Sequence, residues 1–401
     1  MTDVPPEAEL AFLLTGTLAT RDSVRARVAD LAGRIDEDAF VSFLRDQRML
    51  LLGGTRLCDL APRAISQRLH DRLDDARANA HARAMLFAAA SRHVTGSLER
   101  EDIPAVELKG AALAEELHGD AALRGYTDID VLVPAERLDD AVAIACRLGW
   151  REPTTHERRP ALHRWLDHPD GALPVLEIHW RVHWYETRFA EAMLARSRLV
   201  HAVRHLEPID QLAALLLFYA RDGFTGLRMA ADIGAWWDLH GNAGTARGLE
   251  HLVAEHAELA EAWRAALVVV SPLAGLPTSA VPTELHPRSR RTALACRLRN
   301  WDLRGDIDQI KANVSLTDGL LSPPGEMGAF VRRHVLVAPF ELSRAYDVAP
   351  DSRVRVVGAY MRHVAKMSAR YGLGLARLTG GRSWSPLPAS PARSRAVATY
   401  R

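Results

Sequence analysis

Leu108-Lys109-Gly110 is followed, one short helix later, by Arg124-Gly125-Tyr126-Thr127-Asp128-Ile129-Asp130-Val131-Leu132-Val133. The second run is β-prone. Side chains two apart on a strand share a face, so Asp128 and Asp130 stand together while Ile129, Val131 and Val133 turn to the core. Two adjacent anions need a cation. A divalent magnesium or manganese ion with oxygen ligands meets that need, and such ions commonly hold a nucleoside triphosphate. Only three lysines, Lys109, Lys311 and Lys366, occur among fifty-one basic residues. Lys109 thus departs from a strong arginine bias beside Gly110, where a compact ammonium suits a tight turn better than a planar guanidinium fork.

The elements that must position these residues follow from the pattern. Val106 to Lys109 reads as a short strand, and Gly110 opens a helix through His118 that Gly119-Asp120 ends. After the strand at Asp128 to Val133, Pro134 marks the approach to a second helix, with Leu138, Ala141, Ile144, Ala145 and Leu148 on one stripe up to Gly149. In Val175 to Trp184 the alternation predicts a long strand: Leu176, Ile178, Trp180, Val182 and Trp184 on one face, Glu177, His179, Arg181 and His183 on the other. Ala161 to His168 precedes it across the turn signal Pro169-Asp170-Gly171, which predicts an antiparallel hairpin.

Around this β-containing centre the periodicity is helical. An all-α leader runs from Glu7 to about Thr95, with Phe40, Phe43 and Leu44 on one stripe, Leu69, Leu73, Ala76 and Ala80 on another, and a break at Pro62. Past Phe189 the stripes are helical again, to Met367. The expected class is α+β, a small mixed sheet flanked by all-α regions. Four segments are expected: a helical region over 1–98, the core over 99–186, a helical region over 187–378 and a disordered basic tail over 379–401.

Taken together, Lys109-Gly110, Arg124, Asp128-x-Asp130 and Glu177 resemble the nucleotidyltransferases of the DNA polymerase β-like superfamily, and within it a bacterial family known as uncharacterised nucleotidyltransferases. The resemblance is densest from Ile103 to Trp184 and extends loosely to Leu227-Arg228 through Asp232-Ile233. It implies that Asp128 and Asp130 bind metal, Mg2+ or Mn2+, and that a third carboxylate on a neighbouring strand completes the site. Glu177, in Glu177-Ile178-His179-Trp180, matches the family's acidic residue before Ile-His-Trp. The resemblance further implies a nucleoside triphosphate, ATP foremost, as co-substrate. Lys109 and Arg124 would supply charge to its phosphates, and Gly110 would let backbone N–H groups at the helix start approach them. One departure stands out: Ala111 follows Gly110 where many superfamily members carry a serine, so that turn has no hydroxyl.

Simpler readings exist for several of these residues. An Asp-x-Asp is often only a solvated strand face, and Asp306-Ile307-Asp308 shows how readily it arises; there Asp306 reads as a helix cap. His179 and His183 could ligate zinc with Glu177, but residues two and four apart on a strand lie about 7 and 14 Å apart, too far for the outer pair to share an ion. Arg228 and Asp232, four apart on a helix, read as an intrahelical ion pair, or else Asp232 caps the cleft. Trp236 and Trp237 read as packing residues.

Composition narrows the classes further. With 401 residues, 48% apolar and 25% charged, the chain has ample material for a core, and its net charge of +1 argues against a surface wholly adapted to nucleic acid. From Ser352 onwards ten Lys or Arg and no Asp or Glu occur, which reads as a solvated helix face and tail. Cys58, Cys146 and Cys296 have no disulfide or zinc-knot spacing. No signal pattern or membrane-length apolar run is found, so a cytoplasmic setting is expected. The expected function is transfer of a nucleoside monophosphate from the triphosphate to an acceptor, with release of pyrophosphate. The acceptor could be a small molecule, a peptide or protein, or, with less support from the charge balance, RNA. The alternatives are a regulatory, antitoxin-like nucleotide-binding protein on the same fold, and a phosphotransferase.

Overall fold

In the computed structural model, residues 4–125, 127–152, 162–169, 171, 173–298, 307–337, 342, 346–348 and 352–379 are described. The runs that alternate in sequence form strands β1 (Val106–Lys109), β2 (Asp128–Leu132), β3 (His163–Leu166) and β4 (Val175–His179). Two further strands, β5 (Arg198–Val200) and β6 (Val203–His205), join them in one mixed sheet of order β3-β4-β2-β1-β6-β5. β2 pairs antiparallel with β1 and parallel with β4, and β3 and β4 form the antiparallel pair expected from the turn signal between them.

The sheet separates two cores. On one face Ile129, Val131, Leu176 and Ile178 pack with Phe87, Val94 and Leu98 of the helix Gln67–Arg100 and with Leu138, Ala141 and Ile144 of the helix Leu138–Arg147. Leu132, Val106 and Leu108 belong to the other core, which also takes Phe12, Phe40 and Phe43 from the N-terminal helices and Leu212, Phe218 and Trp263 from the C-terminal ones. The two helical regions are thus joined by a shared interior, and Thr17 N–H donates to the Ala274 carbonyl at 2.8 Å across it.

A bulge decides which core each residue of β1 faces. Glu107 pairs with Val131 and Lys109 with Asp130, so β1 spends two steps where β2 spends one. Two residues apart on a strand without this bulge, Glu107 and Lys109 would share a face. With it, Glu107 turns toward Ser91 of the long helix, which it meets in a hydrogen bond, and Lys109 turns to the Asp130 face.

The structure corrects the sequence reading in three places. β4 ends at His179 rather than Trp184, although Trp180 and Val182 continue the alternation. The hairpin β5–β6 occupies residues read as helical: its three-residue strands have no buried side chain to mark them, and its turn residues His201 and Ala202 take φ of +48° and +63° without a glycine or asparagine. The helix Arg353–Thr379 leaves Val354, Val357 and Met361 of its apolar stripe exposed. Of the tail expected over 379–401, Thr379 ends this helix, and the rest, like the cap at Asp306, lies outside the described residues.

Two consecutive positive φ values in a two-residue hairpin loop are the geometry that Asn-Gly adopts with least strain. Replacing His201-Ala202 by Asn-Gly should therefore stabilise the fold by about 1 kcal/mol, read as a higher midpoint in urea; a lower midpoint would contradict this turn.

Candidate active site

The sheet register builds the site. Lys109 lies opposite Asp130, and Asp130 opposite Glu177, so three strands bring an ammonium and two carboxylates into one row on one face. Asp128 joins them from two residues earlier on β2. Oxygens of Asp128, Asp130 and Glu177 all lie within 4.8 Å of one another, the donor set of a hard divalent cation.

Asp130 is 1% exposed and is held from both sides. Lys109 Nζ sits 3.1 Å from Oδ2, and His179 Nε2 lies 3.0 Å from Oδ1. Burial alone would raise the Asp130 pKa, but the Lys109 charge and the His179 contact outweigh it and hold the carboxyl below the ordinary carboxylate range. Glu177 follows the same logic: burial raises it, while the bond to His179 at 3.3 Å and the nearby His163 bring it down. His179 is wholly buried; desolvation lowers its pKa, yet Asp130 and then Glu177 raise it above the usual histidine value. Above this row Phe218 presents its ring, with Lys109 Nζ 5.2 Å and the Arg221 guanidinium 4.7 Å from its centroid.

Gly110 has φ of +121°, and a Cβ there would collide with Glu107 Oε1. The N–H groups of Ala111 and Ala112, at the start of the helix Ala111–His118, are engaged by the Glu107 carboxylate. Burial nevertheless pushes the Glu107 pKa up, with Ser91 and these N–H groups opposing. No pattern in the sequence marked Glu107, because only the bulge distinguishes its face from that of Lys109.

Arg124 is brought to a different partner. It is 2% exposed and its Nε donates to Asp232 Oδ2 at 2.8 Å, while His118 Nε2 lies 3.0 Å from Asp232 Oδ1. Asp232, on the helix Arg228–His240, thus binds the end of one helix and the loop that enters β2. The expected intrahelical Arg228–Asp232 ion pair does not close to direct contact; Arg228 donates to the Gly125 carbonyl, while its charge still helps to hold the Asp232 carboxyl down. His183 lies past the end of β4, where its Nδ1 accepts from the Tyr185 N–H at 3.4 Å. His163 of β3, opposite His179, takes the place beside Glu177 that spacing had offered to His183. Trp236 is buried and Trp237 partly so, both against the helical core.

A strand, a glycine turn, a helix and a second strand bearing two aspartates, with a third carboxylate on the adjacent parallel strand, make up the layout that the sequence resemblance leads one to expect of a nucleotidyltransferase. A family model described as "Uncharacterised nucleotidyltransferase" matches residues 33–275, more than half of the chain, and the protein belongs to that family. The match takes in the sheet and parts of both helical regions. No curated protein and no solved structure gives a match. Among the described residues, no helix is long and apolar enough to cross a membrane.

Burial would raise the Asp232 pKa, but Arg124 and His118 hold it below the ordinary range. A depressed folded-state pKa stabilises the fold fully above the unfolded value, about 4, and the contribution is lost as pH falls from there toward the folded value. Asp232→Asn should cost roughly 3–5 kcal/mol at neutral pH, because it strips the partner from a buried guanidinium. It should also flatten the fall in stability below about pH 4, measured by urea unfolding; an unchanged acid limb would place that dependence elsewhere.

Proposed function

We propose that this protein transfers a nucleoside monophosphate from a nucleoside triphosphate, with ATP the first choice, to a hydroxyl-bearing acceptor and releases pyrophosphate. The observation that carries this reading is the cross-strand row Lys109–Asp130–Glu177, with Asp128 beside it, on a half-buried face. The three carboxylates fit a Mg2+ or Mn2+ site: they supply oxygen donors only, at mutual distances a single ion or a pair can span. When bound, such ions neutralise triphosphate charge and favour deprotonation of the attacking hydroxyl.

The chain's own residues then have distinct tasks. Asp128, Asp130 and Glu177 hold the metal, and Glu177, at the more exposed end of the row, faces the acceptor. Lys109 stands between Asp130 and the helix start, where its ammonium reaches a phosphate oxygen as a point charge. Arg124 serves by anchoring the entry to β2 through Asp232. Phe218 and the helices behind it exclude water from one side of the row, which strengthens each charge interaction there. The acceptor is a small molecule, a peptide or a protein.

One observation favours a second reading, a regulatory nucleotide-binding protein. Ala111 offers no hydroxyl, and the helix-start N–H groups are already engaged by Glu107. Tight triphosphate binding without turnover on any acceptor would support it.

The deciding experiment incubates the protein with each labelled nucleoside triphosphate, Mg2+ or Mn2+ and candidate acceptors, and resolves pyrophosphate from orthophosphate. Pyrophosphate is expected; orthophosphate would mean γ-phosphoryl transfer. Asp128→Asn should cut turnover about 1,000-fold or more, the equivalent of several kcal/mol of lost charge stabilisation, with little change in the melt. Full turnover in that variant would remove Asp128 from the site. Lys109→Ala should weaken triphosphate binding more than acceptor binding, and Lys109→Arg should not restore it; equal affinity in all three proteins would make Lys109 purely a tether for Asp130.

A further inference from the structure

Beside the three carboxylates lies a second donor set of different chemistry. His163 and His179 are cross-strand partners on β3 and β4, and their rings face Glu177 from the same side of the sheet. His179 Nδ1 lies 3.3 Å from the Arg181 carbonyl, and that contact assigns its N–H there. Nε2 then meets two oxygens at once, Asp130 Oδ1 at 3.0 Å and Glu177 Oε2 at 3.3 Å. A lone pair aimed at two carboxylates is repulsive, so this point requires a cation: a proton on Nε2 or a metal ion. His163 Nε2 completes the group at 3.7 Å from Glu177 Oε2.

These separations have the size of a tetrahedral coordination shell. Zinc bonds of about 2.0–2.1 Å to nitrogen and oxygen give ligand-to-ligand edges of about 3.3–3.4 Å. Glu177 Oε2 lies 3.3 Å from His179 Nε2 and 3.7 Å from His163 Nε2. The backbone carbonyl on His179 Nδ1 is the support that orients metal-binding imidazoles in general.

We propose that His163 Nε2, His179 Nε2 and Glu177 Oε2 form a three-ligand binding site for a zinc-class divalent ion, separate in ligand type from the all-oxygen set of Asp128, Asp130 and Glu177. Two imidazoles select for a borderline transition ion over magnesium. Because the two sites share Glu177, they cannot both be filled in full. On the reading of the previous subsection, zinc is therefore an inhibitor that competes with the catalytic metal.

Cobalt(II) tests the site without any turnover. Tetrahedral Co2+ absorbs strongly in the visible, whereas octahedral Co2+ on surface carboxylates absorbs weakly, and Zn2+ should displace it while millimolar Mg2+ should not. His163→Ala, on an edge strand with a partly exposed side chain, should lose the strong bands and weaken Zn2+ binding by at least about 10–100-fold. His163→Cys should restore them and add a thiolate-to-cobalt charge-transfer band. Asp128→Asn should keep the cobalt spectrum whether or not the protein proves to be a transferase. Inhibition by Zn2+, read against each variant's own uninhibited rate, should follow the same order. Weak octahedral bands in the unsubstituted protein, or strong bands that survive His163→Ala, would overturn the proposal.

Discussion

Asp130, with 1% of its surface exposed, carries a carboxylate buried on one face of the sheet, and an unpaired charge at such a depth costs several kcal/mol. Net stabilities are only roughly 5–15 kcal/mol, so the fold cannot carry that cost uncompensated. Compensation comes from both neighbouring strands, Lys109 on β1 and His179 on β4. β2 lies between them, antiparallel to β1 and parallel to β4. The central position of β2 is what lets this one charge be met from both sides.

The helical regions complete the environment rather than merely enclosing it. Phe218 faces two cations with its ring, and Asp232 ties His118 and Arg124 into the base of the loop that enters β2. A segment more than a hundred residues downstream thereby fixes where Asp128 begins its strand. Since N- and C-terminal helices share one core, the floor and roof of the site belong to the same packed body.

Much of this was legible in the sequence because it follows local periodicity. Period-two alternation located β1, β2 and β4, and Gly110 and Gly119 bounded the helix between β1 and β2. What was not legible depends on long-range pairing. The hairpin β5–β6 lies on the sheet edge with exposed strands, so burial left no imprint on its residue types. Asp232 looked like half of an intrahelical pair because Arg124, its actual partner, is 108 residues away. His163 sits in a stretch of low periodicity and acquires its neighbours only through register with His179.

The bulge in β1 bears on how such a site could be gained or lost in descent. It amounts to one residue between Glu107 and Lys109, and every familiar letter of the motif lies outside it. A regular strand of the same length would keep Lys-Gly, Asp-x-Asp and the later glutamate intact while setting Glu107 and Lys109 on one face, whereas a single-codon deletion at Leu108 would keep the ammonium opposite Asp130 and the glutamate opposite Val131 with no bulge at all. Two strand lengths can therefore present the same row, and pairing rather than spelling decides whether the ammonium meets the aspartates.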